Sequence, residues 1–420
     1  MTIEMETNPR ILRPDGEKLP VIVPKTVVCA HAVRLCVGDY DRDLRAIVLT
    51  GSLARDEGTF LQREGAWNLF GDAEFLLVFR ERSALPPALS LVLLEQSIHR
   101  VLMRHGIFCS VSLSAAHPEY LRKLTPHIFA YELRACGQVV WGDRQVLSLI
   151  PVFRREDIPV EDAWCLLANR IVEHLEVADG KNAQSAPLPM PTQYRTVKLC
   201  LDMTTSLLVF AGAYEPTYRR RQEALALLAE RQEGRITWPF PPDRFQSLVK
   251  ISTAWKLFPE EAEDKVGWEF WEDTISHAWT LWRWELSRLT GGSAEESEGA
   301  LLQKWMHLQP PQRRLRGWLY VLRKLGWHRS WREWPRWVRF GWRASPRFWL
   351  YAAASQVFFR LPDLLKCKGQ KSEPAQDWDG LRNQLPLPKR LGNGPRARGW
   401  RGLATDILWN YHEFLEETRS

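Results

Sequence analysis

The sequence predicts an α/β (α+β) domain at the N-terminus, then an all-α bundle, then a basic, Trp-rich helical extension. Three observations predict this succession. Strand-like and helix-like periods alternate over residues 27–150. Helical spacing alone runs through residues 158–290. Over residues 300–362, tryptophan and arginine interleave.

Residues 1–26 are polar and interrupted by proline, and read as an irregular arm. Val27 to Val37 has helical spacing. Arg45 to Thr50 reads as a buried strand ending at Gly51-Ser52, and Arg55 to Asn68 as a polar loop. Ala73 to Phe79 reads as a second apolar strand, Leu85 to His105 as a helix, and Ile107 to Leu113 as an alternating third strand. Thr125-Pro126 offers an N-cap followed by proline at the first helical position, and Gly137 closes that helix. Val139 to Trp141 is a short fourth strand.

Apolar positions recur at helical spacing from Val160 to Val177, Tyr194 to Phe210, Tyr218 to Arg231, Phe245 to Phe258 and Glu260 to Leu289. Lys181 to Pro191 is a Pro- and Ser-containing loop. Gly291 to Gly299 is a polar break, and Ser345-Pro346 starts a helix inside the Trp/Arg block. Residues 363–420 combine a Pro/Gly/Lys-rich linker with a final amphipathic helix from Leu403 to Glu417.

Of the 420 residues, 45% are hydrophobic and 25% charged, as in ordinary globular proteins. Seven dispersed cysteines form no CxxC pair, which fits a reducing compartment. The opening MTIEMETNPR has early acids and no apolar core, so no secretory signal is expected. No apolar run reaches the length of a transmembrane helix. The expectation is a cytoplasmic protein, with attachment to a membrane face as an option. Net charge is +7, yet Leu301 to Leu350 alone carries twelve Lys or Arg against one acid, Glu333. That segment is +11, so the rest of the chain is at −4. One positive surface, not a basic protein, is implied.

The chemistry concentrates in two places. A Gly-Ser turn after a buried strand exposes backbone N–H groups that suit phosphate, above all where a helix begins there, and Ser52 adds a hydroxyl. Gly51 allows the backbone to approach closely. Asp72 and Glu74 stand two residues apart on a strand, so their carboxylates share one face. Side by side they repel unless a cation lies between them, and Mg²⁺ (or Mn²⁺) takes one or two carboxylates plus phosphate oxygens. A solvated strand end is the plainer alternative for the two acids.

Taken together, Gly51-Ser52 and Asp72-Ala73-Glu74 resemble the signature of the polymerase-β-type nucleotidyltransferase superfamily. Gly51-Ser52-Leu53-Ala54-Arg55-Asp56-Glu57 is similar to the Gly-Ser turn of its minimal and aminoglycoside-modifying members. Tyr131 to Gly137 and Val140 to Asp143 resemble the last helix and strand of such domains. The resemblance covers roughly residues 27–145. It implies a nucleotidyltransferase fold, with a helical substrate-binding region behind it. The implied reaction is metal-dependent transfer of a nucleoside monophosphate from a nucleoside triphosphate to a small-molecule or protein acceptor. Asp72 and Glu74 would be the catalytic metal ligands, and Gly51, Ser52, Arg55 and Lys198 the nucleotide-binding residues. The spacer between Ser52 and Asp72 is longer than the family's, as an inserted surface loop from Glu57 to Asn68 would explain. The family's third carboxylate is missing: the third strand offers Ser110, Ser112 and Ser114. Glu119 is a possible replacement. A non-catalytic module binding a nucleotide or a partner is therefore the alternative to an enzyme.

Arg55 reads either as a phosphate ligand or as a partner of Asp56 or Glu57. Lys198 reads as a γ-phosphate ligand or as an intrahelical partner of Asp202. Of Arg219-Arg220-Arg221, a cleft-facing member could bind phosphate, though a solvated run is the commoner case. His174 and His277 are expected to be structural. For the Trp/Arg segment three readings stand: a packing layer, an anionic membrane surface over residues 301–350, and single-stranded nucleic acid. Nucleic acid ranks last because no RNA-binding signature accompanies the segment.

Overall fold

A computed structural model describes residues 11–12, 18–19, 24–176, 187–230, 237–293, 295–325, 334–366, 377–387 and 399–415. The expected irregular arm, the Lys181–Pro191 loop and the Pro/Gly/Lys-rich linker fall largely outside them. The protein is mixed α+β, a sheet domain followed by helices. It divides into two compact units: Met1–Thr125 with Phe129–Val152 and Leu257–Pro259, and the remainder.

In the first unit, β1 (Ile11–Leu12) and β2 (Lys18–Leu19) pair with each other. Then follow α1 (Pro24–Tyr40), β3 (Leu44–Thr50), α2 (Gly51–Ala54), β4 (Thr59–Arg63), β5 (Ala66–Phe79), α3 (Ala88–Arg104), β6 (Ile107–Ala116), α4 (Pro118–Arg122), α5 (Ile128–Cys136) and β7 (Gln138–Gly142). β5 organises the sheet. One of its edges pairs antiparallel with β4 over its first residues and with β3 over its last. Its other edge pairs parallel with β6, and β7 adds antiparallel to β3.

The expected surface loop from Glu57 to Asn68 is instead a β-hairpin. Arg63 pairs with Ala66 across Glu64 and Gly65, both at positive φ (50° and 79°). That conformation matches the strand twist in a two-residue hairpin turn. The helix expected to start at Pro126 begins two residues later, at Ile128.

The sheet alternates its side chains as a pleat requires. Ile47, Leu49, Ala73, Phe75 and Leu77 point to one face, where they pack with Val28, Ala32 and Cys36 of α1 and Leu94, Ile98 and Leu102 of α3. Val48, Leu76 and Val78 are buried on the other face. α3 also staples the open edge of β6. Leu113 N donates to the Glu95 carboxylate at 2.6 Å, and the His99 ring bonds the Cys109 carbonyl at 2.7 Å. An edge so occupied offers no template for a further strand there.

The second unit is helical. It comprises α6 (Val160–His174), α7 (Met190–Phe210), α8 (Tyr218–Glu230), α9 (Pro242–Leu257), α10 (Pro259–Ala262), α11 (Trp268–Thr290), α12 (Glu298–Leu308), α13 (Pro311–Leu325), α14 (Trp334–Arg343), α15 (Pro346–Phe358), α16 (Leu361–Lys366), α17 (Trp378–Arg382) and α18 (Gly399–Leu415). α15 starts as expected, with Ser345 as N-cap and Pro346 next. One buried cluster runs from Trp164 to Tyr411 and includes Trp305, Trp318, Trp337 and Trp349. For those four indoles the packing reading holds. Trp342, by contrast, is 84% exposed. Trp327, Trp331 and the side chain of Trp334 lie outside the described residues. Among the described residues no helix is long and apolar enough to cross a membrane. The six described cysteines are free thiols.

Candidate functional site

The chain leaves β3 at Thr50 in extended conformation and turns at once through Gly51, whose φ is +67°. Only glycine adopts that φ without a steric penalty. The Glu74 carboxylate lies in front of the bend: a Cβ on Gly51 would be 2.9 Å from one of its oxygens, so a side chain there would push it aside. Strand pairing explains why: Thr50 and Glu74 are register partners in the β3–β5 ladder. The Thr50 hydroxyl donates weakly to a Glu74 carboxylate oxygen at 3.4 Å. The bend at Gly51 thus lies beside Glu74 at the end of the β3–β5 ladder.

Asp72 precedes Glu74 by two residues on β5, so the pleat sends both to one face. Asp72 is exposed and Glu74 half-buried. Gly71, at φ +106°, lies where the β5–β6 register shifts between Asn68 and Asp72. Ser110 is the register partner of Asp72 and Ser112 that of Glu74. The strand beside the acids therefore presents hydroxyls where the resemblance implies a carboxylate. Glu119 is exposed on α4 and engaged by Lys123 at 3.0 Å and Arg122 at 3.5 Å, which hold its carboxyl below the usual range.

One acid escaped the sequence reading. Glu95 accepts the Leu113 amide; burial raises its pKa, and the charge of Asp72 pushes the same way. Its signal was faint: an acid directly after the buried Leu94 on a helix read only for its apolar stripe. Among the described residues, no group of three or more His, Cys, Asp or Glu is placed to hold a metal ion.

The turn is clamped from several sides. Arg55 is nearly buried, and its guanidinium pairs with Glu57 at 3.1 Å and with Glu132 of α5. That is the ion-pair alternative, with Glu132 added to the expected partner. Asp56 takes a positive φ of 58° and is held by Lys25 of α1. Lys25 also donates to Gln138 of β7 at 3.0 Å. A non-glycine residue at such a φ persists only where its surroundings over-determine it. The Ser52 side chain is half-buried at this turn. Beside it, Thr50, Gly51, Arg55, Phe129, Glu132 and Gly137 line a recess of about 10 Å³, room for about one water molecule. It does not enclose a nucleotide.

Lys198 lies in the helical unit, on α7, half-buried with its ammonium 5.6 Å from the Tyr194 ring centroid. Asp202, one turn on, pairs with the buried Arg170 at 2.6 Å instead. Arg221 is not solvated: it donates to the Tyr214 hydroxyl, Thr205 Oγ1 and the carbonyls of Glu215 and Pro216, all within 3.0 Å. Arg219 and Arg220 are exposed. His174 accepts the Trp271 indole N–H at 2.9 Å, and burial drives its pKa down to about 3.

No family model matches the chain, and no curated protein is found to be similar to it.

Proposed function

We propose that the N-terminal unit is a nucleotidyltransferase-fold domain that transfers a nucleoside monophosphate from a nucleoside triphosphate to a hydroxyl-bearing acceptor. The observation that carries this reading is the Glu74 carboxylate lying in front of the Gly51 turn, with Asp72 on the same strand face. Backbone N–H groups and the Ser52 hydroxyl at the turn would receive phosphate oxygens. Asp72 and Glu74 would hold Mg²⁺ or Mn²⁺. Two carboxylates suit such a cation, which would also take oxygens of the phosphates. When bound, the cation supplies charge neutralisation on the phosphates. Arg55, with Glu57 and Glu132, fixes the turn. In the transfer, an acceptor oxygen forms a bond to the α-phosphorus, the bond to pyrophosphate breaks, and the acceptor loses its proton.

A second reading has its own observation. Ser110 and Ser112 stand in register beside the acids, so β6 supplies no third carboxylate. A triphosphate-binding module without transfer fits that arrangement. Incubation with labelled nucleoside triphosphates, Mg²⁺ and cell extract separates the two. Transfer predicts pyrophosphate release that disappears in Asp72→Ala. Triphosphate binding without release selects the module, and absence of binding overturns both.

A further inference from the structure

The helical unit carries a surface that nucleotide chemistry does not use. α13 and α14 meet through Trp318 and Trp337, whose ring centroids are 6.0 Å apart. Both indoles are buried and satisfied: Trp318 donates to the Ala344 carbonyl at 2.9 Å, and Trp337 to that of Pro386 at 3.2 Å. With the tryptophans turned inward, the outward faces keep a different set. On α13, Leu315 and Leu319 are 62% and 46% exposed; on α14, Val338 and Trp342 are 67% and 84% exposed.

The two helices repeat one pattern. Each has an outward apolar pair four residues apart, which helical geometry stacks on successive turns. Each sets exposed arginines beside that pair, Arg316 and Arg323 on α13, Arg339 and Arg343 on α14. Acids are nearly absent, since Glu333 is the only one between Leu301 and Leu350. Exposed aliphatic side chains rimmed by cations mark a binding surface.

We propose that α13 and α14 form a docking surface for an anionic lipid bilayer. Leu315, Leu319, Val338 and Trp342 enter the boundary between headgroups and acyl chains. Arg316, Arg323, Arg339 and Arg343 meet the lipid phosphates. The alternatives fit less well. Single-stranded nucleic acid needs exposed rings for base stacking, whereas Trp305, Trp318, Trp337 and Trp349 are buried and the projecting residues are mainly aliphatic. A second copy of this surface would set arginine against arginine.

The test uses the full chain and vesicle co-sedimentation. Vesicles of phosphatidylcholine containing about 30% phosphatidylserine should bind, and pure phosphatidylcholine should bind at least about tenfold more weakly. Raising salt from about 0.1 M to about 0.5 M should weaken binding by a similar factor. The combined variant Arg316→Glu, Arg339→Glu, Arg343→Glu should abolish binding. A second variant, Leu315→Ser, Val338→Ser, Trp342→Ser, keeps every charge and should still lose about tenfold. All these positions are exposed, and circular dichroism checks that the fold is kept. Failure to bind the anionic vesicles, or undiminished binding by the serine variant, overturns the proposal. So does equal or tighter binding of single-stranded RNA, which would reassign the surface.

Discussion

The two units handle charge in opposite ways. In the sheet unit, Asp72 is exposed and Glu74 half-buried midway along β5, whose following residues are buried and apolar. In the helical unit, Arg170 and Asp202 are buried and paired within a group that also includes Glu173 and Tyr411. Glu285 is fully buried there, with no cation paired to it among the described residues. The difference separates two uses of an ionisable group. A charge that is buried and paired is bound to the fold, and its removal is felt as lost stability. Acids kept accessible on a sheet face beside a glycine turn are suited to a ligand, and their removal should be felt in binding.

The hardest break in this contrast is at the buried pair. Asp202→Ala leaves Arg170 short of one partner in the interior and should cost about 3 kcal/mol or more. Denaturant unfolding followed by circular dichroism measures this, and an unchanged midpoint would contradict the assignment. Asp72→Ala should do the reverse. Thermal stability should stay close to that of the parent protein, while pyrophosphate release should fall at least about 100-fold if transfer is the activity.

A pH series sharpens the same comparison. Burial pushes the Glu285 carboxyl up to about 8. The folded protein therefore holds this proton more tightly than the unfolded chain does. The stability Glu285 contributes is complete below about pH 4.5 and falls as pH rises towards 8. Glu285→Gln should flatten this slope. His174 acts with the opposite sign: its lowered pKa makes stability decline as pH falls from about 6.5 towards 3. Denaturation midpoints between pH 4 and 9 test both signs. The smallest effect is expected at Glu119, an exposed group in surface ion pairs. Glu119→Ala should leave melting temperature and nucleotide binding unchanged, and a loss of activity would reinstate it as the third acid.

Much of this arrangement was legible in the chain. β3 and the second half of β5 follow from apolar runs and β6 from alternation, while the first half of β5, from Ala66 to Asp72, was not read as strand. The hairpin over Thr59 to Phe70 was not legible as a strand pair. Its strands are short and Glu64-Gly65 is a less usual turn than Asn-Gly, so polarity suggested a loop. Arg55 and Arg221 could not be placed, because their partners Glu132, Tyr214 and Thr205 are brought in by tertiary packing. Local pairing misled at Lys198: Asp202 stands one turn away along α7, but the buried Arg170 takes it. The inward turn of Trp318 and Trp337 was one of three readings of the segment, and spacing alone did not choose among them, because it does not say which side of an Arg/Trp helix faces the core.

The central claim is that the Gly51 turn and the β5 acids form one triphosphate-binding surface. Calorimetric titration of a nucleoside triphosphate with Mg²⁺ into the parent protein, Gly51→Val and Asp72→Asn tests it most directly. The account predicts Mg²⁺-dependent binding by the parent, weakened about tenfold or more in both variants, with circular dichroism unchanged in Asp72→Asn. Equal affinity in all three proteins, or binding indifferent to Mg²⁺, would contradict it.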